Sequence, residues 1–279
     1  MAGNRESNMW RRADTMLECP GGEKRALRLY LQSAALGDPE GMFGVGRCFA
    51  EGLGVKRSPV TAFQWFAKSA ALGSPSGMNG LGKCLRHGLG CRRDHRAGFG
   101  VLLMAAKRGH FDAQYSVGVC FSRGEGVAQD ARSAFRWYHK SAAQDDADAQ
   151  YNLGVLYQEG RGVRQNYKEA FKWYRKAAAR GEPMAMVNLG YCYDGGLGVK
   201  QDRERAKYWN RRAAAKGDRV AARNVRRLLS LQTKRKPNTK QKNRGTEKKD
   251  ARQLRDRKRG LGSESQKGPL YGASEGDAA

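Results

Sequence analysis

Between Asp146 and Gly181 the chain reads DADAQYNLGVLYQEGRGVRQNYKEAFKWYRKAAARG, two stretches of helical spacing around a glycine-rich turn. In the first stretch Tyr151, Leu153, Val155, Leu156 and Tyr157 recur with the three-to-four-residue period of a helix flank. The second carries Ala170, Phe171, Trp173, Tyr174, Ala177 and Ala178. It is apolar over most of its circumference, so it is expected to lie between neighbouring helices with Trp173 in the core. Gly160 and Gly162 mark the stop of the first helix. Asn166 is a good N-cap for the second, and Glu169 three residues on completes a capping box.

The pattern returns at a fixed interval. Gly46, Gly82, Gly118, Gly154 and Gly190 stand 36 residues apart, as do Gly54, Gly90, Gly126, Gly162 and Gly198. Trp65, Trp137, Trp173 and Trp209 keep the same interval and miss one position, at Val101. Ser58, Asp94, Asp130 and Asp202 hold the cap position of Asn166, while Asp38-Pro39 and Ser74-Pro75 read as caps plus first residues of the other helix. Such a period means stacked supersecondary units with a long shared surface, which favours macromolecular binding over catalysis. A glycine inside a helix costs about 1 kcal/mol against alanine. Recurrence of the Gly46 series therefore predicts a neighbouring helix backbone approaching closely. The glycine turns are no phosphate-binding loops, because no strand precedes them and no Lys-Ser pair follows.

From Ala149 to Gly181 the residues spell A-x3-LG-x2-Y-x2-G-x-GV-x2-N-x3-A-x2-WY-x-KAA-x2-G, which resembles the Sel1-like repeat, an α/α relative of the tetratricopeptide repeat. The resemblance covers units 38–73, 74–109, 110–145, 146–181 and 182–217, preceded by a second-helix fragment at 22–37. It implies an all-α chain folded as a right-handed α/α solenoid of about five 36-residue helix-turn-helix repeats, serving as a non-enzymatic adaptor. Residues 1–21 are expected to be a leader or degenerate helix, 22–232 the solenoid with a capping helix at 219–232, and 233–279 a tail. Unit 74–109 departs from the pattern, with Gly98 for alanine and Val101-Leu102 for Trp-Tyr, so its second helix is expected to pack loosely. If the packing follows tetratricopeptide arrays, the first helices line a concave face. Phe43, Arg47, Lys83, Arg86, Tyr115, Val119, Tyr151, Val155, Gln158 and Tyr191 would then form the protein-binding surface. It would grade from basic to aromatic and suit an acidic or extended peptide segment.

Charge adds a second theme. The 279 residues carry a net +26. Residues 233–260 hold 13 Lys/Arg against 3 Asp/Glu, a net +10, and residues 261–279 a net −2, leaving +18 on residues 1–232. The tail has too little apolar surface to offset its ordering entropy and is expected to be disordered. Lys234, Arg235 and Lys236, then Lys248, Lys249 and Arg252, resemble a bipartite nuclear signal, with Arg257, Lys258 and Arg259 as a further basic cluster. The same residues suit phosphate contacts, but without aromatics they offer no base stacking.

Other classes find little support. No 18-residue apolar run exists, and MAGNRESNMWRRAD lacks the apolar segment of a secretory signal. Cys48, Cys84, Cys120 and Cys192 share one column, read as small buried hydrophobes too far apart to pair. Cys84, His87, Cys91 and His95 have zinc-ligand chemistry, but the cysteine column explains Cys84, so no metal, cofactor or catalytic set is assigned. The expectation is a monomeric adaptor in the nucleus or cytoplasm, not secreted. The alternatives are a nucleic-acid or ribonucleoprotein-associated protein, and a regulatory subunit of an enzyme complex.

Overall fold

The computed structural model describes residues 9–233, and among them all regular structure is helical. In chain order the helices are α1 (Met9–Leu17), α2 (Glu23–Ala35), α3 (Pro39–Glu51), α4 (Pro59–Ala71), α5 (Pro75–His87), α6 (His95–Lys107), α7 (Phe111–Arg123), α8 (Ala131–Ala142), α9 (Ala147–Glu159), α10 (Tyr167–Ala179), α11 (Pro183–Gly195), α12 (Arg203–Ala215) and α13 (Arg219–Thr233). Consecutive helices pack together, and α3 also touches α5. The odd-numbered helices α3 to α11 form a first-helix layer. The even-numbered helices α4 to α12 form a second-helix layer.

Local chemistry sets the boundaries. The side chains of Asp38, Ser58, Ser74, Asp94, Asp130, Asp146, Asn166 and Asp202 each accept from an amide of the following first turn. His110 and Glu182 cap in the same way, which composition did not suggest. Only half of the capping box forms. Asn166 Oδ1 accepts from the Lys168 and Glu169 amides, while the Glu169 carboxylate takes Lys172 Nζ at 2.6 Å. Each intra-repeat turn is then closed by the cap residue's own amide. Ser58, Asp94, Asp130, Asn166 and Asp202 donate to the carbonyl nine residues back at 2.8–2.9 Å.

Two glycine columns have separate causes. A Cβ at Gly118 would lie 2.6 Å from the Tyr138 ring, and one at Gly154 would lie 2.4 Å from the Tyr174 ring. Phe66, Leu102 and Asn210 stand in the same relation to Gly46, Gly82 and Gly190. At Gly46, Gly118 and Gly154 the close approach is thus made by a core side chain and not, as the sequence suggested, by a neighbouring backbone; at Gly82 and Gly190 the Gly98 and Ala206 carbonyl oxygens also come within 3.1 and 3.3 Å. The Gly54 series does meet backbone. A Cβ at Gly126, where φ is +73°, would sit 2.0 Å from the His95 carbonyl oxygen. The corresponding contacts run from Gly54, Gly90, Gly162 and Gly198 to Glu23, Pro59, Ala131 and Tyr167, the first residues of α2, α4, α8 and α10.

The deepest column is therefore the residue after the tryptophan. Tyr174 is fully buried at 0% exposure and Tyr138 is buried, whereas Trp65, Trp137, Trp173 and Trp209 are half-buried. The expectation of a tryptophan core is corrected: helix phase turns the following residue onto the phased glycine and leaves one tryptophan face at the surface. Unit 74–109 also differs from expectation. Leu102 is fully buried, and a methyl at Gly98 would fall 2.9 Å from the Arg86 amide nitrogen and 3.0 Å from the Gly82 carbonyl oxygen. Gly98 lets α6 press against α5, so this unit is tight and not loose.

Both ends are closed by helices. α13 seals the last repeat with Ala221 and Leu228. α1 packs on α2 and takes the place of a first helix. Tyr30 donates to Asp14 Oδ1 at 2.5 Å, across the same 16-residue separation by which Tyr174 donates to Gln158 Oε1 at 2.9 Å.

The cysteine column lies inside the first helices. Burial pushes the Cys48, Cys84 and Cys120 thiols up to about 11 and Cys192 up to about 12. All six cysteines are free, and Cys19 is exposed. A disulfide-exchange reagent at mildly alkaline pH is expected to label Cys19 readily and the half-buried Cys91 more slowly. The four column cysteines are expected to react only after denaturation. Fast native labelling of Cys120 or Cys192 would overturn this placement.

Candidate interaction surface

In the first-helix layer the cations expected to attract an acidic ligand are already engaged across repeat boundaries. Arg47 Nη2 donates to Asp14 Oδ1 at 2.6 Å and to Tyr30 Oη at 2.7 Å, joining α3 to α1 and α2. Lys83 Nζ donates to Asp112 Oδ2 at 2.6 Å, and Asn79 donates to the same oxygen at 2.8 Å. Those contacts hold the Asp112 carboxyl below its usual range against the opposing cost of burial. Arg86 is buried, with Nε 2.8 Å from Glu125 Oε2. Arg47, Lys83 and Arg86 therefore tie units together, and Arg86 presents no surface. Val119 is buried as well.

The remaining positions form an aromatic and amide strip. Phe43, Tyr115 and Tyr151 are half-buried, each with its ring centroid 5.7–6.1 Å from the core ring of its own unit, Phe66, Tyr138 or Tyr174. The Asn152 amide lies near Tyr115 and the Asn188 amide near Tyr151, where each opposes the upward shift of the phenol, so side chains of one first helix approach tyrosines of the previous one. Burial pushes both phenols up, Tyr115 to about 12. Val155 and Gln158 are half-buried, and Tyr191 is exposed at 49%. Tyr151, Val155 and Tyr191 thus share the α9 and α11 end of the layer, beside Asn152 and Asn188. Asn152 and Asn188 were not singled out from sequence. Their position 37 residues after Tyr115 and Tyr151, one step beyond the repeat, was the available signal.

Among the described residues no group of three or more His, Cys, Asp or Glu is placed to hold a metal. Cys91 Sγ points to the Cys84 carbonyl at 3.5 Å, and His87 is exposed. No described helix is long and apolar enough to cross a membrane. The basic tail positions Lys234, Arg235, Lys236, Lys248, Lys249, Arg252, Arg257, Lys258 and Arg259, and the expected disorder there, lie outside the described residues.

Comparison with known proteins gives a consistent family. The Sel1 repeat family model matches residues 19–38, 39–74, 75–110, 111–146, 147–182 and 183–218. Among solved structures, the protective antigen c5321 of uropathogenic Escherichia coli, described as displaying an SLR fold, superposes with TM-score 0.71 at 25% identity, over 82% of this chain. The chain spans 50% of that protein's length. A Sel1 repeat protein from Oxalobacter formigenes gives 0.63 at 26% identity, over 68% of this chain and 76% of its own. Immunity protein Pa5087 of Pseudomonas aeruginosa shares the fold, with TM-score 0.54 at 20% identity over 76% of this chain and 81% of its own. No curated protein matches at a significant level. Sel1 repeat arrays are in general non-enzymatic protein-interaction scaffolds. With six repeat matches in phase with the helix pairs, the chain belongs to the Sel1 repeat family.

Proposed function

We propose that the protein is a non-enzymatic adaptor that holds an extended segment of a partner protein against the first-helix layer at α9 and α11. The observation that carries this reading is the exposed Tyr191 beside half-buried Tyr151, Val155 and Gln158. A rigid aromatic with two rotatable bonds is a low-entropy anchor, and the neighbouring amides can pair with an extended backbone. The nearby cations are paired internally, while the carboxylates of Asp148 and Glu182 stand beside Tyr115 and Tyr151, so the partner segment is aromatic or amide-rich in preference to acidic. The basic tail adds a separate address, a nuclear signal or a polyanion contact, which suits a nuclear or cytoplasmic monomer.

The test is capture of partners by the full chain at moderate salt, with nuclease present, comparing wild type with Tyr191→Ala. Nuclease-resistant protein partners that are lost from Tyr191→Ala, without a change in melting, are expected. Retention of every partner by that variant would move the site elsewhere. Disappearance of all partners with nuclease would favour the nucleic-acid-associated alternative.

A further inference from the structure

The two layers differ sharply in charge. The first helices α3, α5, α7, α9 and α11 carry six carboxylates and four Lys/Arg. The second helices α4, α6, α8, α10 and α12 carry two carboxylates and fifteen Lys/Arg, rising from one in α4 through two, three and four to five in α12. The surplus is also ordered. Lys68, Lys140, Lys176 and Arg212 lie over the rings of Trp65, Trp137, Trp173 and Trp209, at 4.3–5.4 Å from the centroids. Where the tryptophan is missing the cation is missing too: Leu29 is followed by Gln32, and Val101 by Met104.

We propose that the second-helix layer from α8 to α12 docks duplex nucleic acid through its phosphate backbone. Lys140, Lys176 and Arg212 repeat every 36 residues, and Arg175 and Arg211 keep the same interval beside them. All five are exposed, and among the described residues none pairs with a carboxylate. Like charges in register on adjacent helices repel one another, and a linear polyanion relieves that repulsion. An acidic protein fits less well. Protein interfaces are depleted of lysine at their centre and rely on aromatic anchors, whereas here the indole faces lie under cations and Arg212 covers Tyr208 as well. The covered rings also remove the stacking platform that a single strand requires, so a duplex, with its bases already stacked, is the better fit. This surface is on the opposite layer from the adaptor strip and does not depend on that reading.

The experiment uses the full chain and a mixed-sequence DNA duplex of about 24 base pairs, with anisotropy titrations from about 50 to 200 mM salt. The triple variant Lys140→Gln, Arg175→Gln, Arg211→Gln is compared with Lys24→Gln, Arg25→Gln, Arg28→Gln on α2, an equal change of charge at exposed sites. The first is expected to lose at least about tenfold in affinity and to flatten the logarithmic salt slope by about 2 to 3, the second much less. Equal losses would mean that affinity follows net charge alone and would overturn the proposal. Independently of any variant, the duplex is expected to slow acetylation of Lys140 and Lys176 in the wild-type chain and to leave Lys24 unprotected. Protection of Lys24 instead would also overturn it, as would equal protection of Lys140 and Lys176 by polyglutamate or anionic vesicles.

Discussion

Replacing Tyr174 by alanine is expected to destabilise the array by about 3–5 kcal/mol, whereas Trp173→Ala costs only about 1–2 kcal/mol. The two residues are adjacent and both aromatic, and the larger one is the cheaper to lose. Tyr174 is fully buried over Gly154, packs on Tyr151 and donates to Gln158. Its removal leaves a cavity that the second-helix layer cannot close without shifting. Trp173 is half-buried and meets Lys176 and His139 at the surface, so part of its area is already wet. Guanidinium melts of the two variants give the order. A larger loss for Trp173→Ala would restore the tryptophan to the core. Because neighbouring units couple pairwise, amide exchange should place the Tyr174 effect in α9 to α11 and spare α3 to α5.

Gly126→Ala is expected to cost about 3 kcal/mol or more, and Gly124→Ala about 1–2 kcal/mol. The pair isolates one cause. Both glycines have φ near +74°, so the intrinsic penalty for a side chain is shared. At Gly124 the added methyl would meet nothing nearer than Gln129 Cβ at 3.5 Å. At Gly126 it would lie 2.0 Å from the His95 carbonyl oxygen, and a backbone atom at the start of α6 cannot swing aside as a side chain can. Equal melting of the two variants would mean that the turn relaxes freely and that the inter-repeat contact is loose.

How far the residues alone could be read depends on whether a signal repeats. The helix pairs, the turns and most caps recur in phase, and a feature that recurs five times stands clear of chance. Which of two adjacent aromatics faces the core does not follow from composition. It depends on the rotation of α10 relative to Gly154, visible only once the partner of that glycine is known. Helix α1 was faint because the glycines of its turn, Gly21 and Gly22, are adjacent and out of phase with the series. The separation of Asp14 from Tyr30, the same as that of Gln158 from Tyr174, was the trace it left. The internal pairing of the basic positions in the first repeats was hidden for another reason. Lys83 and Arg86 find carboxylates about 29 and 39 residues away, and such pairings arise only when units are stacked. Tyr191 was one of ten candidate positions in the sequence, and only the packing or pairing of the rest of its column leaves it as the exposed member.

The contact between the second turn glycine and the opening carbonyl of the preceding unit's second helix bears on how such a chain can lengthen. The cap amide returns to the carbonyl nine residues earlier in every turn, and the glycine must land on one peptide of the previous unit. An insertion or deletion of a single residue between Gly52 and Ser58 would move that landing point by a full peptide, about 3.5 Å, and separate the two units. Gradual growth within a turn is therefore closed to this architecture. Changes of length that preserve the stacking come as whole 36-residue modules, so a lineage carrying this array would gain or lose reach in discrete steps while its surface columns diversify freely.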